Sequence, residues 1–190
     1  MNYLEKRLVD EGIVIDESIL KVNHFLNQQI DLETLYFAGK SFANYFAERG
    51  INKILTVEAS GIAFAVATAF CLDGIPLVFA KKGNSKLNGD DHSVEIFSFT
   101  KKQSYRIWVE KRLLTDDDKI LIVDDFLANG NAVFGLIELC KQAKAEVVGI
   151  GIVIEKSFQD GRKRLVEAGY DLCSLAKIKS LKDNLVEILE

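Results

Sequence analysis

Proline is nearly absent. Pro76 is the single proline in 190 residues, where an average usage of about 5% would give several more. Extended proline-rich linkers and spacers are therefore excluded, and bends must come from glycine and polar residues. Histidine is scarce too, with only His24 and His92, and the three cysteines Cys71, Cys140 and Cys173 lie far apart. Neither residue type shows the spacing of a zinc site. The cysteines read as reduced thiols packed among apolar neighbours, the usage of a cytosolic protein. No apolar run is long enough to span a membrane, and the opening residues MNYLEKRLVDEG lack the apolar stretch of a signal peptide. The formal net charge is -4, and the longest like-charge run is Asp116-Asp117-Asp118, so there is no basic footprint for nucleic acid. These absences point to a cytoplasmic protein acting on small molecules, with neither nucleic acid nor membrane as partner.

What is present is enough for one domain with a real core: 48% of the residues are hydrophobic. Leu4, Leu8 and Val9 at helical spacing, followed by Gly12, predict a short amphipathic helix over 2–11. Residues 13–30 form a mixed segment. From Asp31, a good N-cap, an apolar stripe of Leu35, Ala38, Phe42, Ala43, Phe46 and Ala47 predicts a helix ending at Gly50. Strand and helix then alternate: strands at 53–57 and 76–80 around an alanine-rich helix at 61–72, a strand at 120–123, a loop at 124–131, a helix at 132–144 and a long apolar strand at 147–154. Strands apolar on both faces between helices indicate a parallel sheet covered by helices. The polar stretch 81–92 predicts a mobile loop, and strands at 94–99 and 104–109 predict an antiparallel hairpin, so loop and hairpin together read as one excursion from the sheet. A short helix at 160–169 and two weak strand candidates complete the chain.

The most informative stretch is KILIVDDFLANGNA, residues 119–132. An apolar strand ends in two consecutive acids, and a loop with a central glycine opens a helix, which is where ligands bind in an open α/β sheet. Two carboxylates about 5 Å apart repel by roughly 3 kcal/mol at an effective dielectric near 20, so a sugar diol or a hydrated cation between them relieves a cost. Because side chains alternate along a strand, Asp124 and Asp125 are expected to converge only if the chain turns there. The small residues from Ala128 to Ala132 let backbone amides approach a phosphate at the helix N-terminus. An ordinary capped strand-loop-helix turn is the plain alternative. The loop Glu58-Ala59-Ser60-Gly61 has the same placement at a second strand end. Other templates fail: there is no G-x-x-x-x-G-K-[ST] and no G-x-S-x-G, and Gly149 and Gly151 lie inside a predicted strand, where close packing of a neighbour explains them better than a dinucleotide fingerprint.

The ILIVDDFLANGNA stretch resembles the phosphoribosyl diphosphate (PRPP) motif of the type I phosphoribosyltransferases. Leu20 to Asp31, the Glu58 to Gly61 loop and Gly149 to Gln159 extend the resemblance over nearly the whole chain, and the first and last of these resemble the xanthine-using members. The implied fold is α/β: a central, mostly parallel sheet flanked by helices, with an inserted flexible loop and hairpin at 81–109 and a small hood built from about 1–30 and 157–190. The implied activity is transfer of a phosphoribosyl group from PRPP to xanthine in purine salvage. By the same resemblance Asp124 and Asp125 hold the ribose hydroxyls, and Ala128, Asn129, Gly130, Asn131 and Ala132 cradle the 5′-phosphate. Glu58, Ala59, Ser60 and Gly61 form the diphosphate loop. Lys81, Lys82 and Lys86 fall in the flexible catalytic loop, and Leu20, Asn27 and Lys156 contact the base. Mg2+ is implied as cofactor, held mainly through PRPP, and a homodimer as the working form.

Two departures are visible. Where most of the family has T-G-x-T, this chain has Asn129-Gly130-Asn131-Ala132, which shifts phosphate binding from hydroxyls to amides and Asn side chains. The diphosphate loop also lacks the basic residue of the adenine-using members, which shifts leaving-group charge onto the loop lysines. Guanine or hypoxanthine as preferred base, and a non-catalytic PRPP-sensing regulator, are the other readings.

Overall fold

The structure, a computed structural model, describes residues 1–85, 89–98 and 103–189. Lys86 and the tip of the expected hairpin lie outside the described residues.

Helix α1 (Tyr3–Glu11) opens on a reciprocal cap in which Asn2 and Glu5 each accept the other's backbone N–H, and it buries Leu4 and Leu8. Gly12 ends it without a left-handed turn: a Cβ there would lie 2.4 Å from the Leu8 carbonyl oxygen, to which the Gly12 N–H donates. Strands β1 (Ile13–Ile15) and β2 (Ile19–Lys21) form a hairpin of their own, and a π-helical turn follows at Asn23–Asn27. The sequence left this region as a mixed segment, because two three-residue strands carry no readable period. Helix α2 (Leu32–Tyr45) is capped by the Asp31 carboxylate, which accepts from Thr34 N at 2.8 Å.

The remaining elements are β3 (Lys53–Val57), α3 (Gly61–Cys71), β4 (Leu77–Lys82), β5 (Asp91–Ser98), β6 (Gln103–Glu110), β7 (Lys119–Leu127), α4 (Asn131–Ala143), β8 (Glu146–Lys156), α5 (Gly161–Glu167), β9 (Leu172–Ser180) and β10 (Glu187–Ile188). Eight strands make one sheet in the order β10-β9-β8-β7-β3-β4-β6-β5. Its centre, from β9 to β4, is parallel, and both ends are antiparallel. One hydrophobic cluster gathers α1, α2 and α3, and a second gathers α4 and the β5–β6 hairpin. Gly149 and Gly151 do have a packing role, since a Cβ at either would meet the ring of Phe46 at 2.4 Å or Phe42 at 2.9 Å.

Four expectations change. Strand β4 continues to Lys82, so Lys81 and Lys82 are strand residues paired with Trp108 and Ile107 and are not in a loop. That pairing adds the β5–β6 hairpin to the main sheet as its edge, so it is no excursion. Strand β7 continues through both acids to Leu127. Of residues 157–190, β9 and β10 belong to the sheet, β9 pairing parallel with β8 and β10 antiparallel with β9. Among the described residues no helix is long and apolar enough to cross a membrane. Cys140 is buried while Cys71 and Cys173 are partly exposed, and burial pushes the Cys140 thiol up to about 12.

Candidate active site

The carboxyl ends of β3, β7 and β8 carry most of the expected site. Asp124 is 4% exposed, and its carboxyl group is pushed well above its ordinary value, first by burial and then by the Asp125 charge. Burial also raises Asp125. The two acids interact even though the strand does not turn: Asp125 N–H donates to Asp124 Oδ1 at 3.0 Å, and the Asp125 charge acts on the Asp124 carboxyl. The expected turn is unnecessary. A pair this desolvated favours a ligand that brings hydroxyl donors or positive charge.

The loop after β3 closes onto the pair. A Cβ on Gly61 would lie 2.4 Å from Thr56 Oγ1 and 2.8 Å from Asp124 Oδ1, so the backbone passes there only as glycine. The Ser60 hydroxyl lowers the Asp125 carboxyl from the same loop. Glu58 Oε1 accepts from Lys82 N at 2.5 Å, tying the loop to the end of β4. The Glu58–Ala59 peptide is cis.

The two described lysines diverge, as alternation along β4 requires. The Lys82 charge counteracts part of the Asp124 shift, and its ammonium lies 5.7 Å from the Tyr105 ring centre. Lys81 lies over Trp108 at 5.6 Å.

On the other side of the pair, Gly130 (φ 83°) starts α4 with no side-chain cap, leaving the first amides of a thirteen-residue helix without acceptors. The loop is buttressed by α5: Gly161 N donates to Ala128 O at 3.0 Å, and Arg164 Nη1 donates to Asn129 O and, at 2.9 Å, to Asn131 Oδ1. Asn131 Nδ2 donates to Phe97 O at 2.9 Å. Both ends of the Asn131 amide are thus held by protein, which corrects the expectation that this side chain serves a phosphate. The buried Glu155 fixes α5 in turn, through Arg162 Nε at 2.7 Å and the hydroxyls of Ser157 and Ser174.

Lys156 ends β8. Its ammonium donates to Ser18 O at 2.8 Å, lies 5.9 Å from the Phe126 ring centre and is lowered in pKa by burial. Leu20 does not join it: it is 6% exposed, packed in the core against Gly12. Asn27 is exposed at the end of the π-helical turn, with no hydrogen bond to the other candidates among the described residues.

The family model of the phosphoribosyl transferase domain matches residues 31–179. The chain belongs to that family. Curated relatives named xanthine phosphoribosyltransferase include those of Staphylococcus epidermidis, 50% identical over all of this chain and 98% of the relative, and Clostridium acetobutylicum, 50% identical over the whole of both. The adenine phosphoribosyltransferase structure from Thermoanaerobacter pseudethanolicus is 28% identical, with a TM-score of 0.68 over 77% of this chain and 82% of that one.

In this phosphoribosyltransferase four residues at the site escaped the sequence reading. Thr56 lies inside an apolar strand run and reads as core, while Phe126 falls in the stretch 124–131 expected as a loop. Tyr105, raised by burial and then by Asp124, sits on a hairpin strand distant in sequence. Arg164 reads as a solvated helix residue. Their proximity depends on strand order, which a single sequence does not encode.

Proposed function

We propose that this chain transfers the phosphoribosyl group of PRPP to xanthine, releasing diphosphate and forming XMP. The observation that carries the reading is the buried carboxylate pair beside the uncapped start of α4, in a chain half identical over its full length to relatives named for this activity. Asp124 and Asp125 would accept the two ribose hydroxyls, and the amides of Asn131 and Ala132 the 5′-phosphate. Departure of diphosphate builds positive charge on the sugar and negative charge on the leaving oxygens. The anionic pair faces the first charge. Lys82 and the loop after β3 lie toward the second, with Lys81 on β4 and Lys86 as the further lysine candidates.

Mg2+ fits this donor set. Among the described residues no three metal-binding side chains cluster, and Mg2+ typically takes one or two carboxylates with substrate oxygens and water. Bound through PRPP, it would neutralise charge on the leaving group. The reading also assigns a homodimer in the cytoplasm, with a hood to which about 1–30 and the parts of 157–190 outside the sheet contribute.

Lys156 supplies the base selectivity: a partly desolvated ammonium donates to the exocyclic oxygen that xanthine has and hypoxanthine lacks. Leu20 then supports the hood from the core, and Asn27 closes on the base only if the turn moves. The test is diphosphate release from PRPP and Mg2+ with xanthine, guanine, hypoxanthine and adenine in turn. Xanthine should dominate; dominance of guanine or hypoxanthine moves the base assignment, and PRPP binding without release with any purine replaces the enzyme by a sensor. Lys156→Ala should raise the KM for xanthine at least about tenfold, the worth of one charged hydrogen bond, and leave that for PRPP within about twofold. An unchanged xanthine KM removes Lys156 from the base site.

A further inference from the structure

The 5′-phosphate loop is held from outside by a residue that neither the motif nor the family assignment explains. Arg164 stands on the exposed side of α5, and its Nη1 donates to both Asn129 O and Asn131 Oδ1, the residues on either side of Gly130. Its guanidinium lies 4.5 Å from the Phe134 ring centre, one turn into α4. These contacts tie together the two limbs of the turn and the helix it opens. Gly130 is in the left-handed region, with φ 83°, and as the α4 N-cap it has no side chain to hold the turn. Asn131 is fully committed between Arg164 and Phe97 O. No hydroxyl stands at 129, 131 or 132 to bind a phosphate directly.

We propose that Arg164 is the positioning residue of the 5′-phosphate site. It draws the Asn129 carbonyl and the Asn131 side-chain oxygen outward, away from the space in front of α4. The amides of Asn131 and Ala132 are thereby preset toward that space. It also places one fixed positive charge beside the loop, where a phosphate dianion has no other strong cation among the groups described above. A guanidinium suits this task because it is planar, permanently charged and able to stack on Phe134 while donating in its own plane. The ligand class is a sugar 5′-phosphate, and the proposal rests on the phosphoribosyltransferase reading for the rest of that ligand.

Ribose 5-phosphate and inorganic diphosphate separate the two halves of the PRPP site, and calorimetric titration of each with the full chain does not require turnover. Arg164→Ala should weaken ribose 5-phosphate about tenfold and leave diphosphate with Mg2+ within about twofold. In steady state the KM for PRPP should rise about tenfold while kcat and the KM for xanthine stay within about twofold. Arg164→Lys, which keeps the charge and loses the planar fork, should recover only part of the loss. Unchanged ribose 5-phosphate binding in Arg164→Ala overturns the proposal. Equal weakening of both ligands also overturns it, because that outcome marks a general loss of loop structure. If the wild-type chain releases no diphosphate with any purine yet loses ribose 5-phosphate binding on Arg164→Ala, the catalytic reading fails and the phosphate role of Arg164 stands.

Discussion

Replacing Asp124 and Asp125 together by Asn is expected to lower kcat/KM for PRPP roughly a thousandfold and, at neutral pH, to raise the melting temperature by a few degrees. Each carboxylate accepts one ribose hydroxyl in the proposed reaction, and a hydrogen bond to a charged acceptor contributes about 2 kcal/mol. Losing two such bonds costs about 4 kcal/mol, or three decades in rate. The stability gain has the opposite origin. Burial is the first cause of the raised carboxyl values of both acids, so the folded chain holds protons that the unfolded chain has released. Stability is therefore intact below the ordinary carboxyl value near about 4 and falls as pH rises through the interval up to the raised folded values. Asn does not ionise and escapes this loss. Paired thermal melts should thus show the variant ahead at pH 7 and the difference vanishing toward pH 4. A variant that melts lower at pH 7 than at pH 4 relative to the wild type would mean that the carboxylates stabilise the fold, contrary to their burial.

Gly61→Ala should do damage of the other kind, losing stability and activity together. Gly61 has an ordinary negative φ, so flexibility is not what the position requires. Space is. The added methyl would stand 2.4 Å from Thr56 Oγ1 and 2.8 Å from Asp124 Oδ1, and overpacking of this kind costs about 1–3 kcal/mol. A melting temperature lower by roughly 4–8 °C is expected for a chain of this size, together with a loss in kcat/KM above about a hundredfold as Asp124 and the loop are pushed apart. Thr56→Ala in the same chain clears the nearer obstacle and removes a buried hydroxyl that has no hydrogen-bond partner. The double variant should regain most of the stability and little of the activity, since the Asp124 oxygen remains in the way. Wild-type melting and turnover for Gly61→Ala would show that the loop relaxes freely and that its closeness to Asp124 is incidental.

The parallel core of the fold was legible because its strands are long, apolar on both faces and separated by amphipathic helices. Strand β3 and the starts of α2 and α3 fall where the pattern puts them. The ends of strands were less legible. Lys81, Lys82, Asp124 and Asp125 are polar and read as loop, yet each belongs to a strand that reaches past its apolar run to the site. Polar residues at a strand's carboxyl end satisfy the ladder as well as apolar ones do, so hydropathy stops before the strand does. In the site, the acid pair, the glycine turn and the loop after β3 announced themselves by type and spacing. Leu20 did not, because a leucine against a ligand and a leucine in the core have the same signature. Asn131 misled for a related reason: an amide on a phosphate loop looks available until its two partners, from β5 and α5, are known.

Helix α5 has only seven residues, yet it is tied both to the loop before α4 and to the end of β8. Its first residue holds Ala128 by a backbone bond, and its second holds Glu155, the neighbour of Lys156. On the proposed reading, the gap between the phosphate cradle and the base contact is therefore gauged in part by one turn of rigid backbone. A caliper of that kind would measure a single nucleoside monophosphate from end to end, so a longer or shorter bridge between base and 5′-phosphate would miss one jaw however well its parts fit separately.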